Sequence, residues 1–252
     1  MTRSGPLLFG VACAGLGAES LILVDVVPGL EPVPAGFPAR ALWACVGAFV
    51  LLAAGAAIAS GAHRRLGALS LAFLFGTWAV LLQSPALASR PRSGVLWTTT
   101  FETLALCGAA VALAAQDRAA RGTNGSGTRM ATLGRVLFGI TLPVFGALHF
   151  VYAAYVATLV PTWIPARLFW AIFTGAAFVT AGVSIATGVK ARLAATLLGV
   201  MFAAWVVIVH SPRVLRGPRI REEWSSLFIA LAMCGGAWIV ASGRPSRGPH
   251  GL

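Results

Sequence analysis

Eight apolar stretches of bilayer length dominate this sequence and leave few folds open to it. A helix rises 1.5 Å per residue, so about 20 predominantly apolar residues cross a bilayer's hydrocarbon core. Stretches reaching or approaching that length fall at roughly 6–27, 39–59, 66–83, 95–115, 136–159, 167–187, 193–209 and 224–241. Of the 252 residues, 58% are hydrophobic and only 10% are charged. A soluble domain carries about 25% charged residues, so a soluble helical fold would leave most of its surface apolar in water. The chain therefore reads as an all-α, polytopic integral membrane protein. Its first stretch follows Thr2-Arg3-Ser4 much as a signal peptide would, but its match to the fifth stretch argues for a retained helix.

That match belongs to an internal repeat. Adding 127 to a position after Pro38 lands on its twin: Pro38-Ala39-Arg40 on Pro165-Ala166-Arg167, Trp43 on Trp170, Trp78 on Trp205, and Ser84-Pro85 on Ser211-Pro212. Trp97 pairs likewise with Trp224, and Cys107-Gly108 with Cys234-Gly235. Upstream the offset is 129, pairing Phe9-Gly10 with Phe138-Gly139 and Gly17-Ala18 with Gly146-Ala147. Such self-similarity marks a duplicated unit. Four spans per unit bring both units into the membrane in the same direction. The expected architecture is two tandem four-helix bundles in parallel orientation. The first occupies 1–115 and the second 133–241, joined by a flexible Gly/Ser/Thr-rich linker over 116–132. A disordered Gly/Pro/Arg-rich tail is expected over 242–252.

Eight crossings put both termini on one side, which also holds Arg64-Arg65, the linker arginines, Lys190 and Arg192. The positive-inside rule then makes both termini cytoplasmic and the protein a multi-pass protein of the cell (inner) membrane. Arg213, Arg216, Arg219 and Arg221 stand against that trend in an outer segment. The net charge of +12 is scattered among short loops, so the lipid bilayer, rather than nucleic acid, is its partner. Cys13, Cys45, Cys107 and Cys234 lie inside apolar spans without a C-x-x-C pair, and read as packing residues.

Comparison of the repeats singles out candidate site residues. His149 stands opposite Ser20, His210 opposite Gln83, and Glu222-Glu223 opposite Val95-Leu96. The second unit thus gains ionisable groups at one level, and ionisable residues at membrane depth usually face a site. The expected ligand-binding set is His149, Tyr152, Trp163, Arg167, His210, Glu222 and Glu223, gathered in a polar cup in the outer half of the second bundle. On this reading His149→Ala abolishes ligand retention, whereas Ser20→Ala does little. Glu102, inside the fourth span, is expected to pair with an arginine of the first unit such as Arg40. No haem or metal motif is present: no histidine, cysteine or carboxylate pair has local ligand spacing. No catalytic nucleophile motif is present either.

Phe138-Gly139, Gly146-Ala147-Leu148-His149-Phe150, Val160-Pro161-Thr162-Trp163-Ile164-Pro165, Trp170 and His210-Ser211-Pro212-Arg213 together resemble the DoxX-like membrane proteins. The resemblance covers the second half directly and the first half through the repeat. It implies short four-helix units, similarity to subunits of thiosulfate:quinone oxidoreductase, and association with membrane redox complexes. Quinone is then the expected cofactor class and a soluble or membrane oxidoreductase subunit the expected partner. Two functions remain open on the sequence. One is a redox-associated subunit binding a quinone-like or other small amphipathic molecule, with His149 hydrogen-bonding a carbonyl or hydroxyl and Arg167 steadying negative charge. The other is a non-enzymatic transporter or membrane assembly scaffold.

Overall fold

The computed structural model of the chain describes residues 3–34, 36–119 and 126–243. Within them the fold is all-helical, and eight helices are long and apolar enough to span a membrane. They are α1 (Ser4–Leu23), α2 (Arg40–Ser60), α3 (Arg64–Ser89), α4 (Gly94–Ala119), α5 (Ser126–Val151), α6 (Arg167–Thr187), α7 (Ala191–Arg216) and α8 (Arg221–Ser242). We call the membrane face carrying the α1–α2, α3–α4, α5–α6 and α7–α8 connections the far face.

Two boundaries differ from the sequence reading. Most of the expected linker is helical, because α4 runs on to Ala119 and α5 starts at Ser126. Only 120–125 of it, together with the tail from 244, lie outside the described residues. The fifth span breaks at Tyr152, which leaves the helical region (φ −109°, ψ 31°), and a short helix Ala153–Leu159 follows at the far face.

The spans do not close into two separate bundles. The first span of each repeat packs on the second span of its own repeat and on the fourth span of the other: α1 on α2 and α8, α5 on α6 and α4. In place of the expected two tandem four-helix bundles the spans form an interlocked ring, with α4 and α8 meeting at its centre and one apolar core running through both halves. Across their most apolar stretches α4 and α8 are each 67% buried, against 28% for α6 and 22% for α7.

Glycine makes these crossings possible. A Cβ on Gly10 would fall 2.7 Å from the Gly55 carbonyl, and one on Gly182 2.8 Å from that of Gly139. A Cβ on Gly235 would fall 2.8 Å from the Gly5 oxygen, and one on Gly134 2.7 Å from that of Gly108. Small residues let membrane helices approach to backbone contact, where dispersion and close packing hold them.

Twin positions carry the same local geometry. Ala39 and Ala166 both enter their helices with φ 53°. The indoles of Trp97 and Trp224 donate to the carbonyls of Pro91 and Pro218, at 2.8 and 3.0 Å. Cys107 and Cys234 each place Sγ 3.3 Å from a carbonyl oxygen of the preceding span, Ala72 and Gly199. All four cysteines are free.

Candidate functional site

The two Ser-Pro pairs build the far-face ends of α3 and α7. Proline lacks an N–H and its ring crowds the preceding turn. Both helices widen into a π turn just before it, at Trp78–Gln83 and Val206–His210. The serine hydroxyls donate five residues back, Ser84 to Ala79 and Ser211 to Val206, both at 2.7 Å. Such turns recur at functional positions, and these two end on the twin residues Gln83 and His210.

In the first repeat, Gln83 is fully buried and holds the chain itself. Its Nε2 donates to the carbonyls of Gly29 (2.7 Å) and Leu30 (3.0 Å), and its Oε1 accepts from Thr99 (3.2 Å) and Thr100 (3.5 Å). The α1–α2 connection is drawn into the helix ends, burying Val26, Val27, Leu30, Glu31 and Val33. Arg221, from α8, clamps it. Its Nη1 donates to Asp25 Oδ2 (3.1 Å); its Nη2 donates to Ser20 Oγ (3.2 Å), Asp25 O (3.1 Å) and Val26 O (2.7 Å). Its Nε lies 3.4 Å from Glu19 Oε1, and Ser225 donates to the same carboxylate. Arg40 pairs with Asp25 and reaches the Val33 carbonyl. The expected Arg40–Glu102 pairing is therefore replaced by Arg40–Asp25.

These charges set the local titration. Burial raises the Asp25 carboxyl, but the Val26 amide and the guanidinium groups of Arg40 and Arg221 outweigh it, leaving it below the ordinary range. Glu31 is 4% exposed and its Oε2 has no hydrogen-bond partner among the described residues. Burial pushes its carboxyl up to about 7, against the pull of the Val27 amide and Arg40.

The second repeat differs at each of these points. No residue of 152–166, the counterpart of the buried connection, is buried. His210 stands where Gln83 does, but its Nδ1 is buried without a partner among the described residues. Beside it a cavity of about 510 Å³ opens between the Thr158–Trp163 segment and the end of α7. Trp163, Arg213, Arg216 and Glu223 supply its polar and aromatic lining, and Val209 and Pro212, flanking His210, also face it.

The seven sequence-derived residues do not gather in one cup. Trp163 and Glu223 share the cavity, and His210 lies on the turn that lines it. Glu222 and Arg167 are exposed. His149 sits in an aromatic cluster, stacked on Trp205 (centroids 6.1 Å, 15°) and edge-on to Phe178 (5.2 Å). Its Nδ1 lies 2.8 Å from the Phe145 carbonyl. Because a carbonyl only accepts, Nδ1 carries the proton, and Nε2 of the neutral ring is an acceptor. Tyr152 turns the other way and lays its ring on Gly94 of the first repeat. Sequence reasoning missed Asp25, Glu31, Gln83 and Arg221 as a working group. It noticed Arg213 and Arg216 only as an anomaly of charge distribution. That anomaly was a usable signal, since arginines gathered on the face opposite the more basic one need a local reason.

Comparison with protein-family models, with curated proteins and with solved structures matches none of them.

Proposed function

We propose that this chain is a DoxX-like, redox-associated membrane subunit that binds a quinone-like or other small amphipathic molecule at the far-face end of its second repeat. One observation carries the reading. Gln83 gives Nε2 to the α1–α2 connection and Oε1 to the α4 threonines, whereas its twin His210 keeps a buried Nδ1 with no partner among the described residues, beside a cavity that Val209 and Pro212 line. A buried unpaired polar atom costs about 1–3 kcal/mol, and a ligand carbonyl or hydroxyl would relieve it. The site takes from outside what the first repeat takes from itself.

Arg213 and Arg216 suit a quinone oxygen that gains negative charge on reduction, and Trp163 offers a ring face. The chain's part is to bind and orient, and a partner oxidoreductase exchanges electrons with the bound ring. With the termini cytoplasmic, the cavity opens on the outer face of the cell membrane.

Mass spectrometry of small molecules retained after mild detergent extraction tests this. Wild type should carry a quinone or related amphipath in near-equimolar amount. His210→Ala should lose it, while Gln83→Ala should keep it and lose stability instead. Equal retention by wild type and His210→Ala overturns the reading. So does a ligand-free protein that gains no thermal stability from added short-tailed quinone.

A further inference from the structure

A second opening lies on another side of the molecule, and the repeat explains why it is open. Where α1 meets α8, the far-face groove is filled by three features: Arg221 on Glu19, and Phe228, whose ring lies against Gly15. The twin groove lies between α5 and α4. Its counterparts are Gly94 for Arg221, Leu148 for Glu19 and Val144 for Gly15. The guanidinium and the carboxylate are both gone; Phe101 lies on Trp97 (5.5 Å, 17°) much as its twin Phe228 lies on Trp224 (6.0 Å, 30°), but Val144 stands in place of the glycine on which the Phe228 ring rests. What remains is a lateral cleft of about 760 Å³, within the range of about 300–1,000 Å³ typical of small-molecule sites.

Its floor is a stripe of α5 from Pro143 through Ala147 to Val151. The eight rises of 1.5 Å between its ends make it about 12 Å long, directed into the hydrocarbon. Its mouth is polar, with Arg92, Trp97 and Tyr152, and among the described residues no acid lines it. An apolar floor parallel to the lipid tails, interfacial Trp and Tyr, and one uncompensated cation match a lipid with a negative headgroup. We propose that this cleft is a binding site for one anionic phospholipid of the far-face leaflet, with an acyl chain along α5 and its phosphate on Arg92. The site is separate from the His210 cavity and does not depend on what that cavity binds.

The experiment uses the full chain in mild detergent and native mass spectrometry. Phosphatidylglycerol and phosphatidylcholine with the same acyl chains are added in turn. Wild type should retain one phosphatidylglycerol, favoured over phosphatidylcholine by about fivefold or more, the scale of one basic side chain at an anionic headgroup. Arg92→Ala should abolish the preference. Ala147→Trp, at an exposed position, should block both lipids, and Val151→Trp, at a position 72% exposed, gives the same block should the first variant misfold. Arg219→Ala, the twin of Arg92 beside the filled groove, should behave as wild type. The proposal is overturned if Arg92→Ala keeps the preference, if Arg219→Ala loses it equally, or if both tryptophan variants retain lipid. It is overturned too if phosphatidylcholine or a quinone occupies the cleft as well as phosphatidylglycerol does.

Discussion

Replacing Arg221 with alanine should weaken the fold more than any other single charge removal. Its guanidinium makes four hydrogen bonds and one further ion pair, and through them α8 of the second repeat holds α1 and the α1–α2 connection of the first. The Arg221 and Glu19 side chains are only 16% and 12% exposed. Removing one partner of a buried pair costs about 3–5 kcal/mol, mostly because the other charge is left uncompensated. Asp25 is 38% exposed, so solvent screens part of the loss and about 3 kcal/mol is expected. For a chain of this size about 2–4 °C accompanies each kcal/mol, giving a thermal midpoint lower by about 6–12 °C in detergent. Glu19→Gln removes the stranded charge, so the Arg221→Ala/Glu19→Gln double variant should recover about 1–2 kcal/mol. Arg221→Lys should fall between, having one point charge in place of a fork. A midpoint for Arg221→Ala within 1 °C of wild type, or no recovery in the double variant, would refute the clamp.

Ser20→Ala should cost about 1–2 kcal/mol in the same assay, because Ser20 donates to the Asp25 carbonyl at 2.6 Å and accepts from Arg221; an unchanged midpoint would remove it from the clamp. Stability should also fall as pH rises from about 4.5 to about 7, by about 3 kcal/mol at most. The folded Glu31 carboxyl is raised above its unfolded value, so its contribution is complete below 4.5 and lost through 7. Asp25 acts in the opposite window, its contribution being lost only as pH falls through its lowered value. Glu31→Gln should flatten the profile between pH 5 and 8, and a slope that survives would assign the effect elsewhere. Gly235→Ala should cost about 2 kcal/mol, since its Cβ would lie 2.8 Å from the Gly5 carbonyl. Gly36→Ala, with nothing within 4 Å of its Cβ, should be neutral in the same thermal scan. Reporters fused after Arg90 and after Lys190 should report opposite compartments, and the same compartment for both contradicts eight crossings.

What the sequence by itself determined was the set of spans, because crossing a bilayer is a local requirement. A stretch such as 39–59 or 167–187 must bury every backbone N–H and C=O within itself, and length and apolarity suffice to recognise it. Partner choice was decided only by the tertiary structure. Phe9 and Gly235 are 226 positions apart, and nothing local states that α1 meets α8 rather than α4. The candidate site divides along the same line. His210 was visible as the odd twin of Gln83, whereas its unpaired Nδ1 follows from where 152–166 goes. Asp25 and Glu31 read as ordinary acids of a connecting segment, since a loop's polarity says nothing of whether it folds inward. Only when Arg221 arrives from 196 residues away do those charges acquire partners. Charge pairing depends on distance in space, which one-dimensional spacing does not encode across long separations.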